Sequence, residues 1–385
     1  MKPTLVYPRR LAFLSLAASS LMAGTVLAAD GPEPAVGEAA IKGSEAAKPD
    51  EAPKAPVAKV DPQMQAVLDE LAALGGKPLL EVSAEEARKQ PGPADAVKKL
   101  MDKQDKKGPE KVFKVEDIDI KLSNGDISGR VYRPEGDGPF PVILYIHGGG
   151  WVIGSLDAYD STPRALSNAT NALVISTHYR LAPEHKFPAA HEDTFGAYQW
   201  TLENAGRWGG DAKRIAVVGE SAGGNMAASV SVMAQAKGMQ MPVHQVLVYP
   251  VASTSMDTPS YRENALAKPL NAMMMKWFFD HTLAKPEDWK NHQINLLEAK
   301  SLAGLPPTTI ITAEIDPLRS DGELLAAKLK KDGVSVSFRN YEGVTHEFFG
   351  MGAVVDKARE AVGFAAENLK EAFAGGTAST SPATE

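Results

Sequence analysis

"RIAVVGESAGGNMAASVSVMAQAKG", residues 214–238, begins as an unbroken apolar run, turns at a serine flanked by glycines, and continues as an Ala/Met/Val segment. A continuous apolar run of this length reads as a strand buried on both faces, and the segment after it has helical composition. The turn, Gly219-Glu220-Ser221-Ala222-Gly223, has the pattern G-x-S-x-G. That pattern acquires a physical meaning in a strand-turn-helix setting. The glycines remove side chains that would clash in a sharp turn, Ser221 Oγ stands above the sheet, and the Ala222 N–H sits at a helix N-terminus, where developing negative charge is favoured. Alone, the five residues are a frequent coincidence, and a plain glycine-rich bend is the competing reading. The rest of the chain has to decide.

Working outward, "PVILYIH" (141–147), "ALVISTHY" (172–179), "HQVLVYP" (244–250), "TTIITAEID" (308–316) and "VSVSFRNYEG" (334–343) are further apolar runs with helix-like stretches between them. Upstream, "FKVEDIDIKL" and "ISGRVYRP" alternate apolar and polar residues around Asn124-Gly125, a hairpin signal. Before them, "PQMQAVLDELAAL" has helical spacing and "SAEEARKQ" opens with a capping box, so two short helices are expected to precede the first strands. The sum is an α/β chain with one doubly wound sheet, antiparallel at its start and parallel afterwards. There is no internal repeat.

A serine needs a base and the base an orienting acid. Of eight histidines, His185, His191, His244, His281 and His292 read as surface or packing residues, whereas His346 follows the last strand in "EGVTHEFFGM". Asp316 ends the strand before it, where active-site groups of open α/β sheets collect. The order Ser221, Asp316, His346 is that of an α/β-hydrolase triad. "HGGGW" (147–151) ends the first apolar run, and its glycines can expose successive backbone N–H groups.

Five ordered stretches, "HGGGW", "YRLAPEHKFPAA", "GESAGGN", "ITAEIDPLRSDGE" and "YEGVTHEFFG", resemble the bacterial hormone-sensitive-lipase family of carboxylesterases, from about Asp61 to about Ala374. The resemblance implies an α/β-hydrolase fold with a mostly parallel central sheet, helices on both faces and a helical cap. The cap would comprise about 61–107 and about 255–300. It implies Ser221 as nucleophile, His346 as general base and acid, Asp316 as its orienting carboxylate, and the N–H groups of Gly148, Gly149 and Ala222 as oxyanion hole. His147 and Glu220 would support the loops around the site, as would Tyr179, Arg180, Glu184, Asp157, Tyr159 and Asp160. Trp151, Met274, Trp277 and Phe278 are expected along the substrate pocket, with Met273 in the same stripe. Two positions depart from the family pattern: Glu220, commonly Asp, and Glu347, commonly Gly.

The ends read differently from the middle. Lys2, Arg9 and Arg10 precede the apolar run 11–28 and a small-residue exit, the layout of a signal peptide over 1–28, cleaved after Ala28 or Ala29. A membrane anchor is the alternative, disfavoured by the many Ala and Ser residues. Residues 29–60 are Ala/Pro/Glu/Lys-rich and read as a tether, and 375–385 as a flexible tail. The expected location is periplasmic or secreted.

Removing residues 1–28 takes away three basic residues and no acidic one, so the formal charge moves from −7 to −10. Such a chain is a poor partner for nucleic acid or anionic membrane surfaces. With no cysteine, disulfides, thiolate metal sites and a cysteine nucleophile are excluded. No H-E-x-x-H pattern occurs, so neither a metal nor a cofactor is expected. The expected reaction is acyl-enzyme hydrolysis of short- to medium-chain carboxylic esters. A lipase, an aryl-ester or amide hydrolase, and a non-catalytic binding relative are the alternatives, and homo-oligomeric assembly is left open.

Overall fold

The computed structural model describes residues 58–106 and 108–375. The segments expected to be a signal peptide and a tether, up to residue 57, and a tail, beyond residue 375, lie outside the described residues.

Eight strands form one sheet: β1 (Lys114–Ile120), β2 (Ile127–Arg133), β3 (Phe140–Ile146), β4 (Leu173–His178), β5 (Gly210–Glu220), β6 (Gln245–Val248), β7 (Thr308–Ile315) and β8 (Val336–Thr345). Their spatial order is β1-β2-β4-β3-β5-β6-β7-β8. The pairs β1/β2 and β2/β4 are antiparallel and all others parallel. Alternation along the central strands feeds two cores. Val142, Leu144 and Ile146 of β3 point to one, Ile143 and Tyr145 to the other, which is why these strands are apolar throughout.

Ahead of the sheet come α1 (Pro62–Ala73), α2 (Ala84–Ala87) and α3 (Pro93–Lys103). The third was not expected. Pro93 starts it with a φ already suited to a helix, and Asp95 accepts from the Gly92 N–H at 2.9 Å. Ala96 and Val97 are buried and Leu100 and Met101 pack beside them, so the apolar residues keep helical spacing among the lysines and aspartates. Between the strands lie α4 (Ser161–Thr170), α5 (Ala189–Asn204), α6 (Ala222–Ala236), α7 (Pro259–Glu263), α8 (Ala272–Thr282) and α9 (Arg319–Lys331), and α10 (Asp356–Phe373) closes the domain. Residues of α5, α6 and α9 pack on one face of the sheet, those of α4 and α10 on the other.

Strand order reverses around β3, which has β4 on one side and β5 on the other. The carboxyl ends of β3, β5, β7 and β8 therefore deliver the glycine loop, Ser221, Asp316 and His346 to one edge of the sheet, beside a topological switch point.

Candidate active site

The turn leaving β5 is tight enough to dictate its composition. A Cβ on Gly219 would stand 2.1 Å from Gly223 O, and one on Gly223 would stand 2.1 Å from Ile146 O. Backbone is thus packed directly on backbone. Ser221 itself takes φ +57° and ψ −119°, a costly region for a residue with a Cβ. Its N–H donates to Val248 O at 2.9 Å, tying the turn to β6.

The side chains expected to work together meet. Ser221 Oγ lies 3.0 Å from His346 Nε2, and His346 Nδ1 lies 2.7 Å from Asp316 Oδ2. Asp316 is fully buried, and its other oxygen accepts from the Leu318 N–H at 2.8 Å. A carboxylate can only accept, so Nδ1 carries a hydrogen and Nε2 is left to take the serine proton. Burial works against charge on His346, yet the neighbouring Asp316 outweighs it and the imidazole pKa lies above its ordinary 6.5.

The backbone N–H groups of Gly148, Gly149 and Ala222 donate to no other group among the described residues. The loop that presents the first two is held from behind. His147 Nδ1 donates to Gly148 O at 2.8 Å, and Nε2 then accepts from His178 Nδ1 at 3.0 Å. The Tyr179 hydroxyl reaches both His147 O and Gly148 O at 3.0 Å, and its ring stacks on His147 with centroids 4.5 Å apart. Arg180 pairs with buried Asp193 at 2.7 Å and Glu184 with Arg88 at 2.6 Å; Asp157 and Asp160 both hold Arg130.

Glu220 is 1% exposed and does not touch the reacting atoms. The Tyr145 hydroxyl, from β3, donates to it at 2.5 Å, and the Tyr249 hydroxyl, just past β6, donates to its other oxygen. Because β5 lies between β3 and β6, this carboxyl clamps both neighbours of the strand that carries the nucleophile. Burial and the charge of Glu347 push its pKa up to about 7, against the hydrogen bonds of the two tyrosines.

Glu347 adopts φ +70° and accepts from the Tyr159 hydroxyl at 2.7 Å; the same oxygen lies 3.9 Å from His346 Nε2. Burial raises its pKa as well.

Above Ser221 and His346 opens a cavity of about 1020 Å³. Leu68, Leu71 and Leu79 line it together with Leu270, Met274 and Phe278, so both segments expected to form a cap reach it. Gly150 lets this happen: a Cβ there would stand 2.2 Å from the Phe278 ring. Two expected pocket residues are elsewhere. Trp151, at φ +61°, turns its indole into the core between His191 and Phe279 and is 1% exposed. Trp277 sits about 100° around α8 from Phe278 and packs on His281 with the rings tilted and centroids 4.0 Å apart. Met273 is exposed on the outer face. In their place Met275, Tyr159 and Glu347 line the cavity. Met275 lies between Met273 and Phe278, within the stripe expected at the pocket, whereas the contacts of Tyr145, Tyr159 and Tyr249 have no local signature.

Comparison with known proteins matches residues 143–350 to a family model described as alpha/beta hydrolase fold. The chain is 40% identical to the carboxylesterase NlhH of Mycobacterium tuberculosis over 259 residues, covering 64% of this chain and 79% of that protein. It is 34% identical to an ethyl acetate hydrolase of Pseudomonas putida over 262 residues, covering 67% and 82%. Among solved structures, an esterase of Pyrobaculum calidifontis superposes with a TM-score of 0.73 at 37% identity, covering 81% of this chain and 98% of that one. With the elbow, the sheet order and these matches in agreement, the chain belongs to the α/β-hydrolase family, as a carboxylic ester hydrolase of the bacterial hormone-sensitive-lipase type.

Proposed function

We propose that the protein hydrolyses short- to medium-chain carboxylic esters with Ser221 as nucleophile, His346 as base and acid, and Asp316 as the carboxylate that orients it. One observation carries this: the hydrogen-bonded chain from Asp316 through His346 to Ser221 Oγ, set beside three backbone N–H groups with no other acceptor among the described residues. His346 Nε2 takes the proton as Ser221 Oγ attacks the ester carbonyl. The N–H groups of Gly148, Gly149 and Ala222 receive the oxyanion, a kind of contact worth about 10²–10³ in rate per donor. The protonated imidazole gives its proton to the departing alkoxide, leaving an acyl group on Ser221, and water activated by the same nitrogen releases the acid.

The substrate range is supported by a lining surface that is more apolar than polar and the volume of about 1020 Å³, and by the name of the ethyl acetate hydrolase among the relatives. Residues 61–374 form the hydrolase domain in this reading, with a cap from 61–107 and 255–300. The basic start, apolar run and small-residue exit of residues 1–28 support export to the periplasm or beyond.

The test is turnover of p-nitrophenyl esters from acetate to palmitate by the mature chain and by Ser221→Ala. A rate maximum at short or medium chains and its loss in the variant are expected. Undiminished turnover in Ser221→Ala would sink the mechanism, and a maximum on long emulsified chains would make the protein a lipase.

A further inference from the structure

The residue after the histidine has no place in the mechanism above, yet it occupies the site. Glu347 holds a left-handed backbone conformation, φ +70°, in which a residue with a Cβ is disfavoured relative to glycine. Its carboxylate turns into the cavity that contains Ser221 and His346. Tyr159 fixes it there through a 2.7 Å hydrogen bond to Oε1, and Oε2 has no protein partner among the described residues.

We propose that Glu347 is a positioning residue for the water that cleaves the acyl-enzyme, so that it favours hydrolysis over transfer of the acyl group to an alcohol. The inference rests on the assignment of Ser221 and His346. Glu347 Oε1 lies 3.9 Å from His346 Nε2. Hydrogen bonds of about 2.8 Å to each atom reach a common point beside that gap, so one water serves both. One of its protons faces Nε2 and the other faces the carboxylate. Its oxygen then bonds to the acyl carbon while the first proton moves to Nε2. The carbon–Oγ bond of the tetrahedral intermediate breaks, that proton passes to Ser221 Oγ, and the carboxylic acid leaves.

An alcohol has a single hydroxyl proton, which it must give to Nε2. It has none left for Glu347, so the carboxylate distinguishes water from alcohol by hydrogen count. A residue that only shaped the loop would affect both acceptors alike.

The experiment measures acid and methyl ester formed from p-nitrophenyl butyrate in buffer containing methanol, for wild type, Glu347→Gly, Glu347→Gln and Ser221→Ala. Glycine suits the backbone at this position, and glutamine keeps an acceptor of the same reach. In Glu347→Gly, deacylation by water should slow on the order of tenfold. A burst of p-nitrophenol should appear, and the ratio of methyl ester to acid should rise several-fold. Glu347→Gln should bring that ratio back towards wild type. An unchanged product ratio in Glu347→Gly, whatever its total rate, overturns the proposal, as does a glutamine variant whose ratio matches glycine's. Loss of the underlying mechanism would show separately, as both products persisting in Ser221→Ala.

Discussion

Tyr249 lays its ring against the imidazole of His346, centroids 4.4 Å apart, while its hydroxyl is donated to the carboxyl of Glu220. The residue beside the nucleophile is thereby linked to the base without touching either reacting atom. Tyr249→Phe keeps the ring and removes the bond, so stability should fall by about 1–3 kcal/mol with turnover largely retained. Tyr249→Ala also removes the surface on which His346 rests. It should cost about 3–5 kcal/mol and depress kcat far more than the phenylalanine variant. Urea unfolding and steady-state kinetics on both variants check this, and equal kcat in the two would show that the ring does not support His346.

Glu220 leads to a prediction about pH. Burial and the charge of Glu347 hold its pKa up to about 7, from an ordinary 4.5. The folded chain therefore keeps a proton that the unfolded chain releases between these values. The stability this contributes is complete below pH 4.5 and lost as pH rises through about 7. Asp321, pushed up to about 7 by burial, acts over the same window. Glu220→Gln should flatten part of the fall in urea midpoint between pH 4.5 and 8 and leave the acylation step working. An unchanged slope would contradict the burial argument, and abolished acylation in a folded variant would give Glu220 a direct part in proton transfer.

His346 must be neutral to accept the serine proton. Its pKa is raised above 6.5 because Asp316 outweighs the cost of burial, so kcat/KM should fall on the acid side with a midpoint above pH 6.5. Glu347→Gly removes a nearby negative charge and should move that midpoint downward. A pH–rate profile of each enzyme decides it; a midpoint that stays put or rises in the variant would mean that Glu347 does not act on the imidazole.

Gly150 and Phe278 offer a test of the pocket. A methyl group at residue 150 would overlap the Phe278 ring, at 2.2 Å from its Cδ1. Gly150→Ala should displace the ring and raise KM for butyrate and longer esters more than for acetate. Gly150→Ala combined with Phe278→Ala should recover much of the loss. Equal effects on acetate and longer chains would place the ring outside the acyl path.

Much of the site was legible because local rules govern it. The glycines around Ser221 answer to contacts within a few residues of the turn or with the adjoining strand, and each apolar run announces a strand buried on both faces. What misled was side-chain direction. Trp151 and Trp277 belong to stretches that do border the cavity, but a left-handed backbone at one and a helical phase at the other aim both indoles into packing. Helix α3 interleaves Ala96, Val97, Leu100 and Met101 with charged residues, and its start is marked by an aspartate reaching back to a glycine N–H instead of by a serine or threonine cap.

By itself, the sequence determined the fold class, the strand-turn-helix at Ser221 and the order of Ser221, Asp316 and His346, all of which follow from short-range periodicity and from turns that tolerate few residues. Only the tertiary structure decided that Tyr159 holds Glu347 from 188 positions away, that Glu220 clamps two strands, and that Gly150 makes room for Phe278. Those relations join segments distant in the chain. Their partners are chosen by three-dimensional packing, which leaves no repeat or spacing in the sequence to read.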